Sequence, residues 1–209
     1  MIALVDYGSG NIRSVHKALL AAGADVALVK EPSDFSGQYH GMVLPGVGAF
    51  DDCVSALHRQ ELWAAIKQHI DSGKLFLGIC VGYQALFEKS EEFNSCATGL
   101  EVFQGKVIRF PSKPDLKVPQ IGWNQLELSR SDCPLFNGIQ EGSYAYFVHS
   151  FYPEPDDPDI VVTRTDYGVR FASSVWRDNV FATQFHPEKS QGVGMKMLQN
   201  FVDLVSKAS

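Results

Sequence analysis

Along the first half of the chain, short apolar runs alternate with amphipathic stretches. Residues 2–5, 26–29, 41–44 and 74–79 are dominated by Ile, Val, Leu, Met and Phe. Apolar runs of this length predict strands buried on both faces. Between the first two, Ile12, Val15 and Leu19 recur at helical spacing, with Asn11 placed to cap that helix and Gly23 to stop it. Residues 51–71 read as one helix, and a further helix is expected from the end of the fourth strand to about residue 89. Pro45-Gly-Val-Gly48 breaks the third strand. Strands alternating with helices predict a parallel sheet covered on both faces.

The second half changes period. Residues 102–109, 120–128, 144–150, 160–163, 171–176 and 180–184 read as strands separated by turn signals. Residues 153–158, with Pro153, Pro155 and Pro158, read as a loop. A last helix is expected over about 192–206, where Val193, Met197, Leu198, Phe201, Val202 and Val205 form one apolar face. No repeat or linker divides the chain. The expectation is one α/β domain over residues 1–209: a mostly parallel central sheet flanked by helices, with antiparallel additions in the second half.

Composition narrows function more than fold. Hydrophobic residues make up 45% and charged residues 20%, an ordinary globular balance. With 24 acidic and 18 basic side chains the net charge is -6, which argues against a nucleic-acid or anionic-membrane partner. The longest apolar stretch, 75–83, is interrupted by Gly78 and Gly82 and is too short to span a bilayer. The N-terminus lacks the basic flank of a signal peptide. Cys53, Cys80, Cys96 and Cys133 are widely spaced, with no Cys-x-x-Cys pair. No metal site and no cofactor is implied, and the chain is expected in the cytoplasm with its thiols reduced.

Two motifs carry chemistry. Gly78-Ile-Cys80-Val-Gly82 is the cysteine form of the Gly-x-nucleophile-x-Gly elbow, in which small neighbours let a sharp strand-to-helix turn close around a strained nucleophile. Gln84, four residues on, shares a helical face with Cys80. Gln184-Phe-His186-Pro-Glu188 supplies a base and an orienting carboxylate two residues apart. Alone, each has a plain alternative, a buried cysteine in a glycine turn or a surface His–Glu pair; together they specify an activated thiol. Pro45-Gly-Val-Gly48 adds a loop able to aim backbone N–H groups at an oxyanion. The strand ending in His149-Ser150-Phe151 brings polar groups to a core edge. Gly8-Ser-Gly10 lacks the third glycine of a dinucleotide fingerprint, because Arg13 stands there.

Assembled, these segments resemble the class I (triad) glutamine amidotransferases, which have a flavodoxin-like fold. The resemblance covers nearly the whole chain. The elbow and His-Pro-Glu mark the family. Asp6-Tyr-Gly-Ser-Gly-Asn-Ile-Arg-Ser-Val15, Leu44-Pro-Gly-Val-Gly-Ala-Phe50, Ile121-Gly-Trp-Asn124 and Tyr146-Phe-Val-His-Ser150 are similar to the branch that supplies ammonia to a cyclase of histidine biosynthesis. Val81, Tyr83 and Gln120 stand where Leu, Met and His are more frequent. The resemblance implies that Cys80 attacks the side-chain amide of glutamine, with His186 moving the protons and Glu188 supporting the imidazolium. It implies oxyanion contacts from Val81 and from Val47 or Gly48 after their loop turns over. Glutamine is expected against Gly46, Gly48, Gln84, Ser150 and Phe151. The implied partner is a (β/α)8-barrel cyclase forming a heterodimer with this chain, with Asn11, Trp123 and Tyr146 at the interface. The same triad also suits a glutaminase of another biosynthetic synthase, or a standalone thiol peptidase or γ-glutamyl hydrolase.

Overall fold

The four apolar runs of the first half form parallel strands in a computed structural model that describes residues 1–8, 10–35 and 39–208. Ser9 of the opening segment and Ser209, the last residue of the expected domain, lie outside the described residues. The strands are β1 (Ile2–Val5), β2 (Val26–Val29), β3 (Gly41–Gly46) and β4 (Leu75–Cys80). All of β1 and β3 is buried, as a sheet covered on both faces requires. The helices between them are α1 (Ile12–Ala21), α2 (Phe50–Arg59) and α3 (Leu62–Asp71). The one-turn α4 (Val81–Gln84) follows β4.

The remaining strands are β5 (Lys89–Ser90), β6 (Gly105–Arg109), β7 (Gln120–Gln125), β8 (Glu127–Leu128), β9 (Tyr144–His149), β10 (Phe151–Pro155), β11 (Val161–Asp166), β12 (Arg170–Arg177) and β13 (Val180–Thr183). The chain closes on α5 (Gln191–Lys207). The central sheet runs β2-β1-β3-β4-β13-β12-β11-β8. Its first five strands are parallel, in the 2-1-3-4-5 order of flavodoxin-like folds, and the rest are antiparallel. Two small sheets, β10-β6-β5 and β7-β9, flank this frame.

Several expectations are corrected. The helix expected over 51–71 is two helices, broken at Gln60 and Glu61, where Glu61 is left-handed with φ 56°. Buried Leu57 is followed by buried Leu62, and a step of five swings off the face on which Leu62, Ile66 and Ile70 lie. The helix after Cys80 lasts one turn instead of reaching residue 89. The carbonyls of Ala85 and Leu86 accept from Leu100, Val102 and Phe103, tertiary partners that replace a continuing helix. Strand β3 runs through Pro45, which pairs with Ile79. The β1–β3 register ends at Val43, so Pro45 has a strand on one side only and its missing N–H is tolerated. The loop expected over 153–158 begins as strand: residues 153–155 belong to β10, which pairs antiparallel with β6 and as an edge strand accommodates Pro153 and Pro155. Residues 102–104 stay outside β6, and residues 120–128 split between two sheets at buried Leu126. Asn11 makes no side-chain cap on α1.

The frame places chemistry at the C-terminal ends of the parallel strands, where open α/β sheets bind ligands. Cys80 ends β4 beside Gly46, and the chain leaving β13 next to β4 leads directly to His186.

Two histidines are buried without charge. On α3, His69 donates from Nε2 to the Leu75 carbonyl, 3.1 Å away, and burial pushes its pKa down from 6.5 to about 4. Burial likewise lowers His149 to about 3. A depressed histidine stabilises the fold fully above the unfolded pKa and loses that contribution as the pH falls toward the folded value. The urea midpoint should therefore decrease as the pH is lowered from 6.5 to about 4, and His69→Gln should make that decrease shallower. Identical slopes in the two proteins would remove His69 from the account.

Candidate functional site

Cys80 sits at φ 55°, ψ -108°, a backbone conformation that side-chain-bearing residues rarely adopt. It is 4% exposed. The turn closes because nothing projects from its flanks. A Cβ on Gly82 would overlap the Leu44 carbonyl oxygen, and one on Gly78 would stand 2.7 Å from the Gly82 carbonyl. The motif glycines thus let α4 press onto β3 and β4, aiming the sulfur at the end of the sheet. Because α4 is a single turn, the local N–H of Val81, rather than a long helix dipole, is the electrostatic resource beside the sulfur.

The imidazole of His186 is fully buried and donates from Nδ1 to Glu188 Oε1 at 2.8 Å. The same oxygen accepts from Asn11 Nδ2 at 3.0 Å. Burial opposes charge on this ring, but the Cys80 sulfur and the Glu188 carboxylate outweigh it and push the imidazole up to about 10. Burial also disfavours the Glu188 anion, yet the hydrogen bonds and charge of its partners hold it below the ordinary carboxylate value. Among the described residues His186 Nε2 has no hydrogen-bond partner of proper geometry, and it is left facing the sulfur. Backbone bonds clamp the turn that carries the pair. His186 N–H donates to the Tyr146 carbonyl, Tyr146 N–H to Ser190 Oγ, and Ser190 Oγ back to the His186 carbonyl.

Beside the sulfur lies a cavity of about 380 Å³, lined by Val47, Gly48, Val81, Gln84, Ser150 and Phe151 among others. Of the residues expected to contact glutamine, Gly48, Gln84, Ser150 and Phe151 line this one cavity, with one difference. Gly46 pairs with Cys80 behind the lining and does not itself line it. The Gln84 NH2 group is held by two protein acceptors, donating to the Phe151 carbonyl at 3.0 Å and to Gln184 Oε1 at 3.2 Å. Asn11, expected at a partner surface, is buried with its amide on Glu188. Trp123 and Tyr146 pack edge-on, 6.1 Å between centroids, on the β7–β9 ribbon.

Three contributors have little or no signature in the sequence. Asn11 supports the carboxylate across 177 residues. Glu92 lines the cavity while accepting from Phe50 N–H at 2.8 Å, and burial raises its pKa. Gln184 directs Nε2 at the Cys80 sulfur from 3.6 Å. Only Gln184 has a local signal, its place in the His-Pro-Glu motif. The other two depend on long-range folding.

The arrangement can activate a thiol, accept its proton and hold the resulting imidazolium against a buried carboxylate, beside a cavity of small-molecule size. The family model for class-I glutamine amidotransferases matches residues 3–205. The imidazole glycerol phosphate synthase subunit HisH of Syntrophotalea carbinolica is 46% identical over 98% of this chain and 100% of its own. That of Aquifex aeolicus is 47% identical over 95% and 94%. Among solved structures, PurLQS from Thermotoga maritima overlays with a TM-score of 0.77 at 23% identity, covering 97% of each chain. A putative GMP synthase subunit from Thermoplasma acidophilum overlays at 0.72, with 22% identity over 99% of this chain and 94% of its own. The chain belongs to the class-I glutamine amidotransferase family, in the branch of the imidazole glycerol phosphate synthase HisH subunits.

Proposed function

We propose that this chain hydrolyses glutamine through a Cys80 thioester and delivers the ammonia to a cyclase subunit. That partner, a (β/α)8 barrel, would form imidazole glycerol phosphate and aminoimidazole carboxamide ribonucleotide in the cytoplasm. The observation that carries the reading is the convergence of Cys80, His186 and Glu188 at one cavity. The near full-length likeness to HisH subunits supports the choice of synthase.

His186 Nε2 takes the thiol proton, and the sulfur attacks the amide carbon of glutamine. The oxyanion is met by the N–H of Val81 and by an N–H of Val47 or Gly48 once that loop turns. His186 returns its proton to the leaving nitrogen, ammonia departs, and water activated by the freed imidazole cleaves the thioester to glutamate. Glu188, fixed by Asn11, keeps Nδ1 protonated so that Nε2 remains the working nitrogen. In the cavity, Glu92 and Lys189 offer opposite charges to the α-ammonium and α-carboxylate, and Ser150 and Phe151 line the wall.

A partner surface is suggested by Ile121, Trp123 and Tyr144, exposed at 63%, 45% and 52% on the β7–β9 ribbon, which is fastened to the catalytic turn through Tyr146. The four unpaired cysteines suit a reducing compartment.

With the cyclase present, Cys80→Ala should abolish glutamine-dependent synthesis and spare synthesis from added ammonium; loss of both in a folded complex would contradict the proposal. A second result separates this chain from a γ-glutamyl hydrolase: glutaminase activity should rise when the ligand-loaded cyclase is added. For Asn11→Ala, loss of a hydrogen bond to a buried carboxylate, about 1.5 kcal/mol, predicts a kcat roughly tenfold lower with KM little changed. Steady-state glutaminase kinetics of the complex measure it, and an unchanged kcat would leave Glu188 independent of Asn11.

A further inference from the structure

Gln184, just beyond β13, is wholly buried, and its backbone N–H is anchored on the Ser173 carbonyl at 2.9 Å. Its side chain lies between Gln84 and the Cys80 sulfur, and which end of the amide faces the sulfur follows from its neighbours. The Phe151 carbonyl can only accept. Gln84 therefore turns its NH2 toward it, at 3.0 Å, and the second hydrogen of that NH2 meets Gln184 at 3.2 Å. The Gln184 atom receiving it must be the carbonyl oxygen, which leaves Nε2 pointing at Sγ across 3.6 Å.

The Phe151 carbonyl is itself held. His149 Nδ1 lies 2.9 Å from it, and Gln120 Oε1 lies 2.9 Å from Nε2 of the same ring. The ring thus stands between the Phe151 carbonyl and the Gln120 side chain, fastened at both nitrogens. A buried run of polar contacts thus extends from Gln120 on β7 through His149, Phe151 and Gln84 to Gln184, and the Phe151 carbonyl fixes the orientation of the two glutamine amides that follow it.

We propose that Gln184 is a thiolate-stabilising residue: its Nε2–H donates to the Cys80 sulfur and keeps it aimed at the cavity as the thiol proton passes to His186, its orientation dictated by the Gln84 amide. The inference rests on the reading of Cys80 as the nucleophile. An N–H aimed at a buried anion is a charge-assisted hydrogen bond, and it strengthens when the thiol gives its proton to His186. Thiol and imidazole alone would leave the sulfur free to rotate toward either partner. The amide opposite supplies a second point of attachment.

The test is the pH profile of iodoacetamide alkylation, read by mass spectrometry on the Cys80 peptide of the intact chain across about pH 5–9. Slow, cavity-independent alkylation of Cys80 in the wild-type protein would refute the nucleophile reading. With that reading upheld, Gln184→Met, which keeps volume and removes the donor, should shift the alkylation midpoint up by about one pH unit and slow the neutral-pH reaction about tenfold. A profile superimposable on wild type would reduce Gln184 to packing and overturn the proposal. A second measurement needs no substitution. In the wild-type protein the Gln184 side-chain N–H resonances should move with the Cys80 titration and jump on its alkylation. Resonances that stay fixed would overturn the proposal whether or not the Met variant folds.

Discussion

A backbone forced into φ 55°, ψ -108° at Cys80 is the constraint on which the rest of the site depends. Such a conformation persists only where the surroundings over-determine it. Here they do so sterically, since Gly82 lies against the Leu44 carbonyl and Gly78 against the Gly82 carbonyl, with no room for a side chain at either. The strand before Cys80 is locked between β3 and β13. The turn is thus held by the most deeply buried part of the sheet, and its geometry is inherited from the core. The same two neighbouring strands deliver the Pro45-Gly-Val-Gly48 loop on one side and the His-Pro-Glu turn on the other.

The electrostatics follow from burial. An imidazolium without a partner would be costly here, and so would an unpaired carboxylate. Each makes the other tolerable: Glu188 takes two donors on Oε1, and His186 lies between that carboxylate and the sulfur. The opposed shifts, His186 upward and Glu188 downward, are two faces of this coupling. By contrast, His149 is equally buried with no carboxylate among its hydrogen-bond partners, and it remains neutral. Two histidines about one site are separated into a charge carrier and a fixed neutral strut by whether an anion stands beside them.

Much of this is legible in the chain. The four apolar runs locate the parallel strands because burial on both faces leaves little freedom in composition. The spacing of Gly78, Cys80 and Gly82 announces a turn that only that spacing closes. His186 and Glu188 are legible as a pair because they are local. What stays hidden depends on distance or on partners supplied by the fold. The prolines at 153 and 155 read as a loop until β6 is seen to leave them on an edge. Helix α4 ends after one turn because carbonyls at 85 and 86 find donors at 100, 102 and 103. Asn11 looks like a helix cap in sequence, and its true acceptor is 177 residues away.

The central claim is that one cysteine of four is set apart by backbone strain and by a buried proton acceptor. Cys53 and Cys133, each pushed up to about 12 by burial, are chemically quiet, and Cys96 is exposed without such surroundings. An electrophilic glutamine analogue applied to the native chain with the proposed cyclase measures this directly. The account predicts a single adduct per chain, located on Cys80 and suppressed by excess glutamine. An adduct spread over Cys53, Cys96 and Cys133, or one indifferent to glutamine, would contradict it.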